Sequence, residues 1–137
     1  MNKIIISTHG NLARELVNTA RLFASTDNVI AVGLYPDTEL MKYKSELEKL
    51  ISDVKDTNIL ILTDIFGGTP FNVITQICKN LKLKTKVEII SGVNLPMLLE
   101  VLLRKDSVQD ICELKQIAYN VGKNSIRDFF GELNESN

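Results

Sequence analysis

Lys3-Ile4-Ile5-Ile6-Ser7-Thr8-His9-Gly10 decides the fold of this chain. The run is short and mostly β-branched, which favours an extended backbone. His9-Gly10 ends it, and an amphipathic segment follows. The pattern predicts a first strand over residues 3–8 with His9 at its carboxyl end. Open α/β sheets place their ligand chemistry at that end of their strands. His9 is also the only histidine in the chain. Imidazole serves as base, metal ligand or nucleophile. A solitary one excludes most multi-histidine metal sites.

Outward from this stretch, strands and helices alternate. A first helix is predicted over residues 11–24, with Leu12, Leu16, Ala20 and Phe23 at helical spacing. Residues 29–34 form a second predicted strand, closed by Tyr35-Pro36. Asp37 or Thr38 can cap the next helix, whose apolar stripe is Leu40, Tyr43, Leu47, Leu50 and Val54. Residues 58–63 read as a third strand. Its run Ile59-Leu60-Ile61-Leu62 suits a strand covered on both faces, as parallel sheets require. Asp64-Ile65-Phe66-Gly67-Gly68-Thr69-Pro70 follows, and then a helix carrying Ile74, Ile77, Cys78 and Leu81. Thr69 fits its N-cap and Pro70 its first turn. A fourth strand over 86–90, Ser91-Gly92-Val93-Asn94, and helices over 96–104 and 107–121 complete the pattern, the last stopping near Gly122. Residues 125–130 fit a short final strand only by a poor alternation, and 131–137 form a polar tail.

Repeated βα units with right-handed crossovers imply an α/β, doubly wound, mainly parallel sheet in one domain over residues 1–130. In the flavodoxin-like order 2-1-3-4, strands 1 and 3 are neighbours and the switch point lies between them. His9 and Asp64 then meet there, although far apart in sequence.

The 137 residues suffice for one domain with a real core. The net charge of -1, from 16 basic and 17 acidic residues, offers no electrostatic footprint for nucleic acid or an anionic membrane. The most apolar stretch, residues 95–103, contains Glu100 and is far shorter than the roughly 20 residues of a membrane span. No signal peptide is visible, and Cys78 and Cys112 read as buried free thiols. These features point to the cytoplasm. A helix so apolar on all sides also suggests a subunit contact.

A lone histidine is more often a structural group. Its place beside an aspartate at the neighbouring strand end favours chemistry. A carboxylate on one ring nitrogen fixes the tautomer and leaves the other nitrogen its lone pair. Gly67, Gly68 and Thr69 can bring backbone N–H groups and a hydroxyl to an anion at a helix start, although an ordinary capped turn reads equally well. Ser91 would line the far wall of the same cleft, and its alternative is likewise a plain turn. No P-loop, dinucleotide fingerprint, G-x-S-x-G or zinc ligand set is present. A neutral imidazole nucleophile beside anion-binding backbone fits phosphoryl transfer through phosphohistidine, with no metal or other cofactor.

Thr8-His9-Gly10, Asp64-Ile65-Phe66-Gly67-Gly68-Thr69-Pro70-Phe71-Asn72 and Gly92-Val93-Asn94-Leu95-Pro96-Met97 resemble the mannose-family EIIA domains of the bacterial phosphoenolpyruvate-dependent sugar phosphotransferase system. The resemblance implies that His9 accepts a phosphoryl group on Nε2 from phospho-HPr and passes it to EIIB. EIIB phosphorylates the sugar arriving through the membrane components EIIC and EIID. It further implies that Asp64 bonds Nδ1, that Thr69 lies against the phosphoryl group, and that the last strand, here 125–130, is exchanged across a homodimer. No Ala/Pro-rich linker precedes Asn137, so EIIB is expected as a separate chain. Two other readings stand beside this one. The phosphocarrier subunit of dihydroxyacetone kinase shares the fold and the strand-end histidine, but its third-strand motif lacks Gly-Gly-Thr-Pro. A non-catalytic flavodoxin-like binding module is the other. Mannose, fructose, sorbose, glucosamine and N-acetylgalactosamine all stay open as the sugar.

Overall fold

Residues Asn2–His9 form β1, and their side chains alternate between two hydrophobic layers. The computed structural model describes residues 1–52, 57–80 and 86–135. Three further strands follow, β2 (Val29–Leu34), β3 (Asn58–Thr63) and β4 (Val87–Ser91). All pair in parallel, in the order β2-β1-β3-β4. The helices are α1 (Leu12–Ala20), α2 (Leu40–Ser52), α3 (Thr69–Asn80), α4 (Leu95–Arg104), α5 (Ile111–Asn124) and α6 (Phe129–Glu135).

Strand side chains point alternately to the two faces of a sheet. On one face Ile4, Ile6, Leu60 and Leu62 pack against α1, α4 and α5. On the other, Ile5, Ile59 and Ile61 pack against Tyr43, Leu47 and Ile51 of α2 and Val73, Ile74 and Ile77 of α3. Each buried isoleucine or leucine contributes roughly 1.5–3 kcal/mol. Covering both faces is why the central runs Ile4-Ile5-Ile6 of β1 and Ile59-Leu60-Ile61-Leu62 of β3 are apolar without a break. The doubly wound fold and its strand order match the expectation from sequence.

Several local readings need correction. Helix α1 buries Ala13, Val17 and Ala20, while Leu12 is 45% and Phe23 64% exposed. The helix starts after Gly10 in a positive-φ turn and ends at Ala20, so the buried stripe is shifted and Phe23 lies beyond it. Val54 and Leu81 fall outside the described residues. Thr38 does not cap α2; its hydroxyl reaches back to accept from the Tyr35 N–H. Thr69 is already helical, and the Gly68 carbonyl accepts the first bond from Asn72 N. Gly122 is not a stop signal. It lies buried inside α5, where a Cβ would sit 2.5 Å from Met97 Cε. Cys112 is exposed and donates to Glu88 Oε1 at 3.2 Å.

Helix α4 is covered within the chain. Met97, Leu98, Val101 and Leu102 are buried, Leu95 and Leu99 pack against the same layer, and of its apolar side chains only Pro96 and Leu103 are exposed. The expected strand over 125–130 is absent from the described structure. Residues 126–128 are irregular and α6 begins at Phe129. A strand needs a neighbour, and this segment has none among the described residues. Asp128 instead accepts from Gly131 N, and Arg127 pairs with Glu132, which favours a helical turn.

Candidate functional site

The carboxyl ends of β1 and β3 carry polar residues where the middle of each strand is apolar. Ser7 and Thr8 are fully buried, yet each is satisfied. The Ser7 hydroxyl donates to the Val32 carbonyl at 2.9 Å. Its single proton is thereby used, so the Tyr43 hydroxyl, 2.5 Å away, is the donor in their shared bond. Burial pushes the Tyr43 hydroxyl up to about 12, and the nearby Asp64 charge adds to this. Thr8 accepts from Ala13 N at 2.8 Å. These bonds anchor the strand end directly below His9.

His9 projects beyond the strand with its side chain 45% exposed. Asp64, the residue after β3, is only 10% exposed. Its Oδ2 accepts from His9 N at 3.0 Å and bonds His9 Nδ1 at 2.8 Å, while its Oδ1 accepts from Ile65 N at 3.0 Å. Burial works to raise the Asp64 carboxyl, but the bonds from the His9 ring and backbone outweigh it and hold the group below its usual range. An ionised Asp64 requires Nδ1 to carry the proton, so in the neutral ring Nε2 holds the lone pair. No hydrogen bond from the described residues reaches Nε2.

The 64–68 loop passes against the Cε1 edge of the imidazole. Gly67 has φ +81, a conformation that favours glycine, and its carbonyl accepts from Asn72 Nδ2 at 2.9 Å. Gly68 lies against the ring itself. A Cβ there would come within 3.0 Å of His9 Cε1 and 3.2 Å of the Ile65 carbonyl. The start of α3 leaves the Thr69 and Phe71 N–H groups without a backbone acceptor among the described residues. Such groups, with the helix dipole behind them, suit an anion. Thr69 is exposed, and its hydroxyl has no hydrogen bond from the described residues.

The fold therefore brings His9, Asp64, Gly67, Gly68 and Thr69 to one place. Ser91, whose neighbour Gly92 donates its N–H to the Asp64 carbonyl at 3.1 Å, closes β4. It is held in register with Thr63 and lines a groove of about 340 Å³ with Phe66, Phe71 and Tyr119. Reading from sequence missed the hydroxyl roles of Ser7, Thr8 and Tyr43, and the Asn72 brace. Two polar residues at the end of an isoleucine run were the available signal for the first two. Among the described residues, no three His, Cys, Asp or Glu side chains converge as a metal site. None of the described helices is long and apolar enough to cross a membrane.

Comparison with known proteins agrees with this fold. The family model described as the PTS system fructose IIA component matches residues 3–118. The PTS system mannose-specific EIIAB component of Escherichia coli (strain K12) is 35% identical over 90% of this chain, which spans 38% of that protein's length. The PTS system fructose-specific EIIA component of Bacillus subtilis (strain 168) is 30% identical over 94% of this chain and 85% of its own. The crystal structure of phosphotransferase system component EIIA from Streptococcus agalactiae superposes with a TM-score of 0.87 at 30% identity, covering 96% of this chain and 99% of its own. The fold, the family match over most of the chain and the full-length relatives together show that this chain belongs to the EIIA-man family of the sugar phosphotransferase system.

Proposed function

We propose that this chain accepts a phosphoryl group from phospho-HPr on Nε2 of His9 and passes it to an EIIB component, which serves the membrane components EIIC and EIID. The observation that carries the reading is the 2.8 Å bond between His9 Nδ1 and Asp64, which leaves the lone pair on Nε2 of a half-exposed ring. In the transfer, the Nε2 lone pair attacks phosphorus as the bond from phosphorus to the donor's imidazole breaks. Positive charge grows on the His9 ring and is stabilised by the Asp64 carboxylate. The free N–H groups at the start of α3 and the Thr69 hydroxyl face the phosphoryl oxygens. Moving between two phosphohistidines, the group changes little in energy, so positioning dominates catalysis. Neither a metal nor a nucleotide enters the step. Its setting is the cytoplasm.

A homodimer belongs to the same proposal. Strand β4 is an edge of the sheet and borders the groove that contains Ser91, Phe66 and Tyr119. Ile126, Phe129 and Phe130 lie largely exposed nearby in sequence. Exchange of this terminal segment between two copies would cover both the edge and these side chains.

The test is incubation with labelled phosphoenolpyruvate, enzyme I and HPr. Wild-type chain should take up acid-labile label, and His9→Ala should take up none while keeping its circular dichroism spectrum. Equal labelling of the two would overturn the assignment.

A further inference from the structure

The structure assigns to Tyr35 and Asn11 a role in positioning His9, an inference that rests on the phosphocarrier reading above. Asn11 sits at the N-cap of α1, yet its side chain makes no cap bond. Asparagine is favoured at that position because its oxygen accepts a first-turn N–H. Here Oδ1 is diverted and accepts from the Tyr35 hydroxyl at 2.6 Å. The Thr8 hydroxyl, reaching up from β1, accepts from Ala13 N in its place. The helix start is thus capped from the strand, and Asn11 is released to bind the end of β2.

Two more contacts tie the same loops together. Gly10 N donates to the Leu34 carbonyl at 2.7 Å. Gly33 makes room for both loops, since a Cβ there would lie 2.4 Å from the Gly10 carbonyl oxygen and 3.0 Å from the Tyr35 ring edge and hydroxyl. Tyr35 is steadied from behind, where its N–H donates to Thr38 Oγ1 and its carbonyl accepts from Thr38 N, each at 3.0 Å.

The residue this latch protects is Gly10, which follows His9 directly and has φ +58. Glycine moves freely between conformations, so the chain leaving His9 needs restraint from outside. Asp64 holds His9 from the β3 side, and the Tyr35–Asn11 bond holds its exit from the β2 side. The two together set the direction of Nε2.

Tyr35→Phe, Asn11→Ala and the double variant test this. Each single change should slow transfer from saturating phospho-HPr by about 2- to 10-fold, the effect of one neutral hydrogen bond. KM should hardly move, and the double variant should be no slower than either single one. In unphosphorylated protein, amide relaxation should show added motion at His9 and Gly10. Wild-type rates, a change confined to KM, or losses that simply add would each overturn the latch. Failure of the wild-type chain to accept phosphoryl would count against the phosphocarrier reading, and the relaxation measurement would then decide the latch alone.

Discussion

One oxygen of Asp64 accepts two hydrogen bonds from the same residue, His9, at 3.0 Å from the backbone N–H and at 2.8 Å from Nδ1. The backbone bond sets the height of the strand end, and the ring bond sets tautomer and rotation. A single carboxylate oxygen therefore fixes both the position and the protonation pattern of the imidazole.

Asp64→Asn retains size but loses the charge and can present a donor toward Nδ1. Loss of a charged hydrogen bond is worth roughly 1.5–3 kcal/mol, or about one to two decades in rate. The variant should fold and still accept phosphoryl on His9, with slower transfer in both directions. Rapid-quench kinetics measure this. A wild-type rate would break the link between the pair and the chemistry.

The depressed Asp64 carboxyl also predicts a pH dependence of stability. The unfolded group titrates near 3.8 and the folded one below it. Above the unfolded value its contribution is fully present, and it is lost as pH falls through the folded value. Urea unfolding of wild type should therefore lose stability across this acid window more steeply than Asp64→Asn does. Parallel pH profiles would show that the His9 bonds do not stabilise the ionised form.

Gly67 and Gly68 should respond differently to alanine. Gly67→Ala forces a left-handed residue and should lower stability by about 1–2 kcal/mol. Gly68→Ala places a methyl group against His9 Cε1, so it should impair phosphoryl acceptance more than stability. Paired measurements of urea midpoint and labelling rate separate the two. The opposite ranking would show that Gly68 serves the turn and not the ring.

Residues 126–137 should be needed for self-association. Deleting them leaves both hydrophobic layers of the sheet intact but removes Ile126, Phe129 and Phe130. Sedimentation at micromolar concentration should give a dimer for the full chain and a monomer for the truncated one. A full-length monomer would contradict the exchange.

The parts of this structure that were legible in the sequence are those that depend on local pattern and topology. Ile4-Ile5-Ile6 and Ile59-Leu60-Ile61-Leu62 announce strands covered on both faces, and strand order alone brings His9 to Asp64. Packing phase was not legible. Alanine at position 13 faces the core while Leu12 does not, because a positive-φ glycine sets where α1 begins. Gly122 looked like a stop but is a contact with Met97, and sequence cannot distinguish a missing side chain that ends a helix from one that admits a neighbour. The site was legible as residue types, while the Tyr43 hydroxyl and the Asn11 diversion depend on distances between loops.

The central claim is that His9 carries phosphorus on Nε2. Nitrogen-15 NMR of the phosphorylated, histidine-labelled chain tests it most directly, because phosphorus couples to the ring nitrogen it is bonded to. The account predicts coupling at Nε2 of the single histidine, with Nδ1 still protonated toward Asp64. Coupling at Nδ1, or phosphate on any other residue, would contradict it.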